Sequence, residues 1–225
     1  TVGLQLMSGP FGSSQWMYNP STSFYSHTID QSLRFEDGDS PQLTRTPSSA
    51  GNRKTWTWSG WIKRGNLGNY QSLFSSGTTS PAYANLRFMD TDKIQFFVGG
   101  AATYVISSDA VFRDVSSFYH IVFTFDVTES TASDRCKLYV NGTQQTLSGT
   151  FPTNSNWEIN NTYPHALGAQ SVNGGFSFFL DGYMAEINFI DGQALDPSSF
   201  GETKAGIWIP KDTSGLTFGT NGFRL

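Results

Sequence analysis

The sequence predicts an all-β fold with two antiparallel sheets stacked as a sandwich, and three observations predict it. The first is composition. Charged residues make up 14% of the chain, well under the roughly 25% of ordinary soluble domains, while aromatics reach 15%, with 19 Phe and 23 Gly. Aromatics fill sheet cores, and Gly, Asn and Ser fill the turns between strands. The second is that segment after segment alternates apolar and polar residues with a period of two. The third is that no segment carries the longer period of an extended helix. A chain of 225 residues buries about 70% of its unfolded surface, so its core needs no disulfide or metal, and all-β domains of this size are routinely single.

Taken in order, residues 1–30 stand apart. They show no sustained alternation and carry Gly-Pro, Ser-Ser, Asn-Pro and Pro-Ser turn signals, yet they hold Phe11, Trp16, Met17, Tyr18, Phe24 and Tyr25. A solvated linker rarely holds so many apolar residues, so this is an arm that packs either on its own domain or on a partner. The β pattern starts at Gln31. "SLRFE" alternates through Leu33 and Phe35. "TWTWSGWIKR" puts Trp56, Trp58 and Ile62 on one face; Trp61 breaks parity, and Gly60 marks an expected bulge. "YQSLFSSG" follows. "ANLRFMDTDKIQFFVGG" is a hairpin with Leu86 and Phe88 alternating before the Asp90–Asp92 turn and Ile94, Phe96 and Val98 after it. "TYVISS" is a short strand. "YHIVFTFDV" is the clearest central one. "RCKLYVNGTQQTL" is a hairpin whose Asn141-Gly142 turn suits positive φ at both positions. "HALGAQ" and "FFLDGYMAEINFID" complete the set of about a dozen strands. "DPSSFGE" is one helical turn, with Asp196 as N-cap and Pro197 in the first position. Many strands with both faces partly apolar imply two stacked sheets. The expected organisation is an arm over 1–30, a sandwich over 31–202 and an irregular tail over 203–225.

The same residues argue against several function classes. Net charge is −4, and the 14 Lys and Arg are scattered without a basic run, which argues against nucleic acid. Cys136 is alone, so no internal disulfide forms, and a single Cys in a strand is a small core residue. No apolar run approaches the roughly 18 residues of a spanning helix. No signal peptide is visible and residue 1 is Thr, which leaves a processed chain or part of a longer one. The histidines, His27, His120 and His165, lack zinc-site spacing, and no Gly-x-Ser-x-Gly elbow is present.

The order of the segments resembles the laminin G-like branch of the concanavalin A-like jelly-roll superfamily. "SLRFEDGDSPQLTRTP" is similar to its opening strand and acidic loop, "KTWTWSGWIKRGN" to its Trp-containing strand, and "NLRFMDTDKIQFFVGG" to its central hairpin. "FYHIVFTFD" is similar to its His-bearing strand, with His120 in that position, "KLYVNGTQ" to the following hairpin, and "LDGYMAEINFIDGQALDPSSFGE" to its closing strand and cap. The resemblance covers about Ser32 to Glu202. A narrower resemblance, in "GNRKTWTWSGWIKRGNLG", "AEINFIDGQALDPSSFGE" and "GIWIPK…GTNGFRL", is to virion proteins of marine and cyanobacterial phages, which carry such a domain in tail fibres or capsid appendages. That group often runs on past "GTNGF", so the resemblance implies a downstream region.

The superfamily includes glycoside hydrolases, whose paired carboxylates stand about 5 Å apart or wider. In the jelly-roll enzymes they alternate along one strand as Glu-x-Asp-x-x-Glu, and that pattern is absent here. Glu186 has Asn188 at the second position, and Glu158 has no partner two residues away. The laminin G-like branch often binds calcium at a sandwich rim, and Ca²⁺ wants 6–8 oxygens. The candidates are Asp37 and Asp39 in "EDGD" and Asp90 and Asp92 in "DTD"; the alternative is that both are solvated turns. Sugar binding in such sandwiches needs aromatic platforms beside Asn, Asp or backbone groups. The candidates are Trp157 with Asn156, Asn160 and Tyr163 in the long polar loop 151–165, then Tyr70, Tyr83, Asn69 and Asn173. The alternative for Trp157 is a plug at the end of the core.

The resemblance therefore implies a non-enzymatic virion protein on a tail fibre or capsid surface, presenting a lectin-like face to a host-surface glycan. Residues 1–30 and 203–225 would contact other virion subunits in a homo-oligomer, with no nucleic acid and no membrane insertion. The rival expectations are a purely structural capsid or tail decoration protein and, third, a polysaccharide hydrolase.

Overall fold

A computed structural model describes residues 24–100 and 102–225. The part of the expected arm that falls in 1–23 lies outside the described residues. Among the described residues, strands numbered in chain order form two seven-stranded sheets. Sheet A runs β1 (Leu33–Phe35), β15 (Gly182–Asp191), β3 (Thr55–Arg64), β8 (Tyr119–Asp126), β9 (Cys136–Val140) and β10 (Thr143–Gln144), and β18 (Phe223–Arg224) also pairs with β15. Sheet B runs β11 (Leu147–Gly149), β7 (Tyr104–Ser108), β6 (Ile94–Val98), β5 (Ala82–Phe88), β4 (Gln71–Thr79), β12 (His165–Leu167) and β2 (Leu43–Arg45). Two hairpins lie apart: β13 (Gln170–Val172) with β14 (Gly175–Ser177), and β16 (Gly201–Lys204) with β17 (Ile207–Pro210). These strands pair antiparallel throughout. The helical content of the described residues is three 3-10 turns. One of them, Pro197–Ser199, has Asp196 accepting from the Ser198 N–H at 2.8 Å, the N-cap the sequence implies.

The alternating residues meet in one core. Sheet A contributes Trp56, Trp58 and Ile62 from β3, Ile121, Phe123 and Phe125 from β8, and Cys136, Leu138 and Val140 from β9. Sheet B answers with Ala84, Leu86 and Phe88 from β5 and Ile94, Phe96 and Val98 from β6. The Trp56 ring stacks on Phe125 with centroids 5.0 Å apart, and Phe96 packs on Phe123 at 4.7 Å. Burying each such ring contributes about 1.5–3 kcal/mol. The Asn141-Gly142 turn has φ of 50° and 76°, as its sequence requires.

Two expectations are corrected. Gly60 is not bulged: it stays in register opposite Ile121 on β8. The bulge sits across from it in β15, between Ala185 and Asn188, where Glu186 has φ of 47°. The extra residue flips parity, so Met184 and Ile187 both point into the core. Gly60 is needed because a Cβ there would lie 2.7 Å from the Ile187 side chain. The tail 203–225 is not irregular throughout. It contains β17 and β18, and with Phe200 it covers sheet A. Phe200, Val122 and Ile190 form a second core flanked by Tyr139, Leu195, Leu216 and Phe218.

Candidate functional site

Strand periodicity leaves each sheet an outer face, and the two are treated differently by the chain. On sheet A, Trp61 of β3 stacks on His120 of β8 at 4.8 Å, and Trp208 of β17 meets the edge of His120 with centroids 5.9 Å apart. An indole N–H can only donate, so Trp208 Nε1 gives its proton to His120 Nδ1 at 3.0 Å. Nε2 then carries the imidazole proton and donates to Ser59 Oγ at 2.9 Å. Burial lowers the His120 pKa to about 3, so the ring is neutral at physiological pH. His120 is a satisfied packing residue in a covered face.

The outer face of sheet B is covered over β4 by the β13–β14 hairpin, and beside that hairpin several side chains stay partly open. The inward parity of β5 and β6 is spent on the core, which leaves Tyr83, Asn85 and Arg87 of β5 and Gln95 and Phe97 of β6 pointing outward. Register places Arg87 beside Gln95 and then Ser107 of β7, and Asn85 beside Phe97. The Arg87 guanidinium donates to Gln95 Oε1 from Nε at 3.0 Å and from Nη2 at 2.6 Å, and to Gln170 Oε1 from Nη1 at 3.4 Å. Its Cζ lies 4.8 Å from the Tyr70 ring centroid and 5.6 Å from that of Phe178, two rings that pack on each other at 5.3 Å. Farther along β5, Tyr83 stacks on Phe97 with centroids 4.4 Å apart and planes at 16°.

An amide layer holds these groups from below. Asn85 Nδ2 donates to Gln170 Oε1 at 2.7 Å while Ser72 Oγ donates to Asn85 Oδ1 at 2.7 Å, and Gln95 Nε2 donates to Ser107 Oγ at 3.1 Å. Gln170 arrives on β13, which is docked by Ser75 Oγ: it donates to Ala169 O and accepts from the Ser171 N–H. Burial holds the Arg87 pKa below its ordinary value, opposed more weakly by Tyr83, Tyr70 and Asp90 through space. Burial also raises the Tyr83 phenol.

The residues expected from sequence fall in several places. Tyr70 and Tyr83 are on this face, half-buried. Asn173, at the β13–β14 turn, accepts the Ser80 N–H at 2.9 Å on its edge. Trp157 is not a surface platform: it is 5% exposed and belongs to the main core. Its Nε1 donates to Thr153 O at 2.9 Å, which folds the loop back and turns the ring inward, edge-on to Tyr104 at 5.2 Å. Asn156 stays exposed in that loop and Tyr163 is half-buried. Asn160 is fully buried in a polar knot. It donates to Asp191 Oδ1 at 2.6 Å and to Asn52 O at 3.1 Å, and accepts from Asn221 Nδ2 at 2.9 Å. It serves the fold and offers no group to a ligand.

The acids expected for calcium have other partners. Asp92 is buried between Arg64 at 3.1 Å and Arg113 at 2.9 Å and accepts the Gly68 N–H at 3.0 Å. Its burial would raise its pKa, but those hydrogen bonds and the Arg64 charge outweigh it and hold the carboxyl below the usual range. Asp90 is exposed in the neighbouring turn. Asp37 and Asp39 lie in an exposed 3-10 turn, with Asn66 donating to Asp37 at 3.1 Å. Among the described residues no group of three or more His, Cys, Asp or Glu is arranged to hold a metal, and Asp92 is committed to its two arginines. The two acids weighed for hydrolysis are engaged as well. Glu186 binds Arg224 at 3.1 Å and His27 at 3.0 Å, and Glu158 faces Arg53 at 3.9 Å.

Comparison with known proteins agrees with this architecture. A family model, Laminin_G_3 of the concanavalin A-like lectin/glucanases superfamily, matches residues 37–199. No curated protein sequence matches the chain. Among solved structures, the heptameric SAP-like pentraxin of Limulus polyphemus aligns with a TM-score of 0.51 at 16% identity, covering 69% of this chain and 71% of that one. The NanB sialidase of Streptococcus pneumoniae, as its K499G mutant, aligns with a TM-score of 0.55 at 17% identity over 74% of this chain and 26% of that one. The CBM40 of the Ruminococcus gnavus IT-sialidase gives 0.51 at 14% identity over 70% and 95%.

Proposed function

The chain belongs to the concanavalin A-like lectin/glucanases superfamily, within its Laminin_G_3 family, and from that premise we propose that it is a non-enzymatic, carbohydrate-binding protein of a phage virion surface, a tail fibre or capsid appendage, that binds glycan on the outer face of sheet B. The observation that carries the binding is the contrast between the faces: residues 193–218 cover sheet A over Val122 and Ile190 and leave an apolar pocket beside Trp61 and Ala185, while sheet B leaves Arg87, Tyr70, Phe178, Tyr83 and Phe97 partly open around a fixed amide layer. Aromatic faces accept the apolar face of a sugar ring, and the Arg87 guanidinium, held in place by the buried amides beneath it, supplies hydrogen bonds to the sugar's oxygens. A site of this kind is weak alone, and repeated copies in a homo-oligomer give it avidity; the Limulus pentraxin of similar fold is heptameric. Support for the virion comes from the "GNRKTWTWSGWIKRGNLG", "AEINFIDGQALDPSSFGE" and "GIWIPK…GTNGFRL" segments. Contacts with other subunits would use residues 1–30 and the exposed parts of the tail, Ile207 and Leu225, since the tail's other large apolar groups are spent on its own sheet. No catalytic role is proposed for Glu186 or Glu158, each of which faces an arginine.

The second reading is a decoration protein that uses the fold as a stable block, and burial of Trp157 favours it by removing one expected sugar platform. A glycan array probed with the full chain and a Tyr83→Ala variant separates the two. The binding reading expects glycan capture that falls at least tenfold in the variant, with unchanged circular dichroism. Capture unaffected by the variant moves the site elsewhere, and no capture by the folded oligomer leaves the decoration reading.

A further inference from the structure

Two arginines are withdrawn from solvent on sheets of this domain, and they are partnered in different ways. Arg64 is fully buried over the Phe88 ring at 4.3 Å and has Asp92 as its counter-ion. Arg87 is half-buried over Tyr70 and Phe178 and forms no ion pair among the described residues. Its three hydrogen bonds all go to neutral amide oxygens. They use three of the five N–H donors of a guanidinium and leave one on each terminal nitrogen. Asp90 acts on Arg87 only through space, and a desolvated cation without a contacting anion is costly. Gln95 and Gln170, themselves fixed by Ser107 and Asn85, hold the planar group in one orientation before any ligand arrives.

We propose that Arg87 is a carboxylate receptor and that the glycan taken by sheet B is an acidic one, its sugar carboxylate received on the terminal nitrogens of Arg87 beside the packed Tyr70 and Phe178 rings. This rests on the reading of sheet B as the glycan face. A planar carboxylate matches the remaining donors in a way that a hydroxyl does not, because charge-assisted guanidinium bonds are roughly twice as strong as neutral ones. The stacked Tyr83–Phe97 pair lies on the same face four residues along β5, about 13 Å away at strand rise, which is room for a neighbouring sugar of the same chain. The site therefore suits an oligosaccharide with the acid at the Arg87 end.

The experiment measures affinity of the full chain for two acidic probes, an oligogalacturonide and a sialylated oligosaccharide, each beside its methyl ester, and for a neutral oligosaccharide array. The expected result is binding to at least one acid, a loss of tenfold or more on esterification, and weakening with added salt. Arg87→Met is expected to lose the preference for acid over ester, and Arg87→Lys to recover it only in part, since an ammonium lacks the planar fork. Which acid binds distinguishes a uronic acid from a sialic acid as the source of the carboxylate. Binding of ester and acid with equal affinity, lost in Tyr83→Ala, overturns the carboxylate receptor and keeps the glycan face. Binding of no probe, or binding untouched by both Tyr83→Ala and Arg87→Met, overturns the glycan face and the receptor with it. The ester comparison uses the unmodified chain, so it decides the matter even if an Arg87 variant fails to fold.

Discussion

The outer faces of sheets A and B begin from the same strand geometry and end as opposites. On sheet A the chain itself supplies the cover: Trp61 stacks on His120, Trp208 bonds its edge, and Phe200 closes over Val122 and Ile190. On sheet B the polar groups are ordered sideways by one another, while aromatic rings and one cation are left half open. A fold with two similar faces becomes asymmetric through about twenty-five residues of tail laid on one side. What a lectin-like sandwich can bind is decided as much by which face its own chain covers as by the strands.

That contrast can be broken most strongly from the sealed side. Phe200→Ala removes a fully buried ring and is expected to cost about 3–5 kcal/mol, read as a shift in the urea midpoint, while glycan affinity of the folded fraction stays within twofold. Equal loss of affinity and stability would mean that the faces are coupled. Acid attacks the same side. The His120 pKa of about 3 lies below the ordinary 6.5 of an unfolded chain, so the unfolded state takes up the proton first. Stability contributed by neutral His120 is present above pH 6.5 and falls by up to about 1.4 kcal/mol per pH unit below it, until the pH reaches the folded value. His165, lowered to about 4 by burial, adds to the same slope down to that pH. Melting temperatures between pH 7 and 4 should fall, and an imidazole NMR titration should show His120 still neutral at pH 5; a midpoint near 6.5 would contradict the packing described. The smallest effect is expected on the open side. Arg87→Met should cost about 1 kcal/mol, because it relieves a half-buried charge that lacks a contacting anion but leaves the buried Gln95 Oε1 without its donor. Arg64→Met strips Asp92 of its buried partner and should cost about 3 kcal/mol. Similar losses from the two variants would erase the distinction between them.

Much of this architecture is legible in the chain. β3, β8, β9 and the β5–β6 hairpin follow from period-two alternation, because an inward residue in a sandwich must be apolar. The same rule hides the site. In "NLRFMDTDKIQFF" the inward Leu86, Phe88, Ile94 and Phe96 announce a strand, whereas Arg87, Gln95 and Phe97 are simply the other parity. Tyr70 and Tyr83 are visible as aromatics near turns, but nothing local shows that Phe178, more than a hundred residues away, joins Tyr70 around Arg87. Nor can spacing reveal that Arg87 lacks an acid and Arg64 has one, since that depends on which turn each strand end meets. Trp157 misleads because a polar loop with one aromatic has two solutions, ring out or ring in, and the choice is made by a single backbone acceptor at Thr153. The bulge is expected one strand away from its true position because Gly60 accommodates an irregularity that belongs to its neighbour.

The knot around Asp191 has a consequence for how the protein is made. Asp191 accepts from the Asn52 N–H and the Asn160 side chain on Oδ1 and from the Asn221 N–H on Oδ2, so four stretches far apart in sequence must come together before both carboxylate oxygens are satisfied. A chain leaving the ribosome holds Asn52 and Asn160 long before Asn221 appears, and a product ending at residue 218 keeps a buried acid and a buried amide short of the partners they need. A chain lacking Asn221 is therefore expected to open more readily than the full one, read as faster proteolysis of the truncated form.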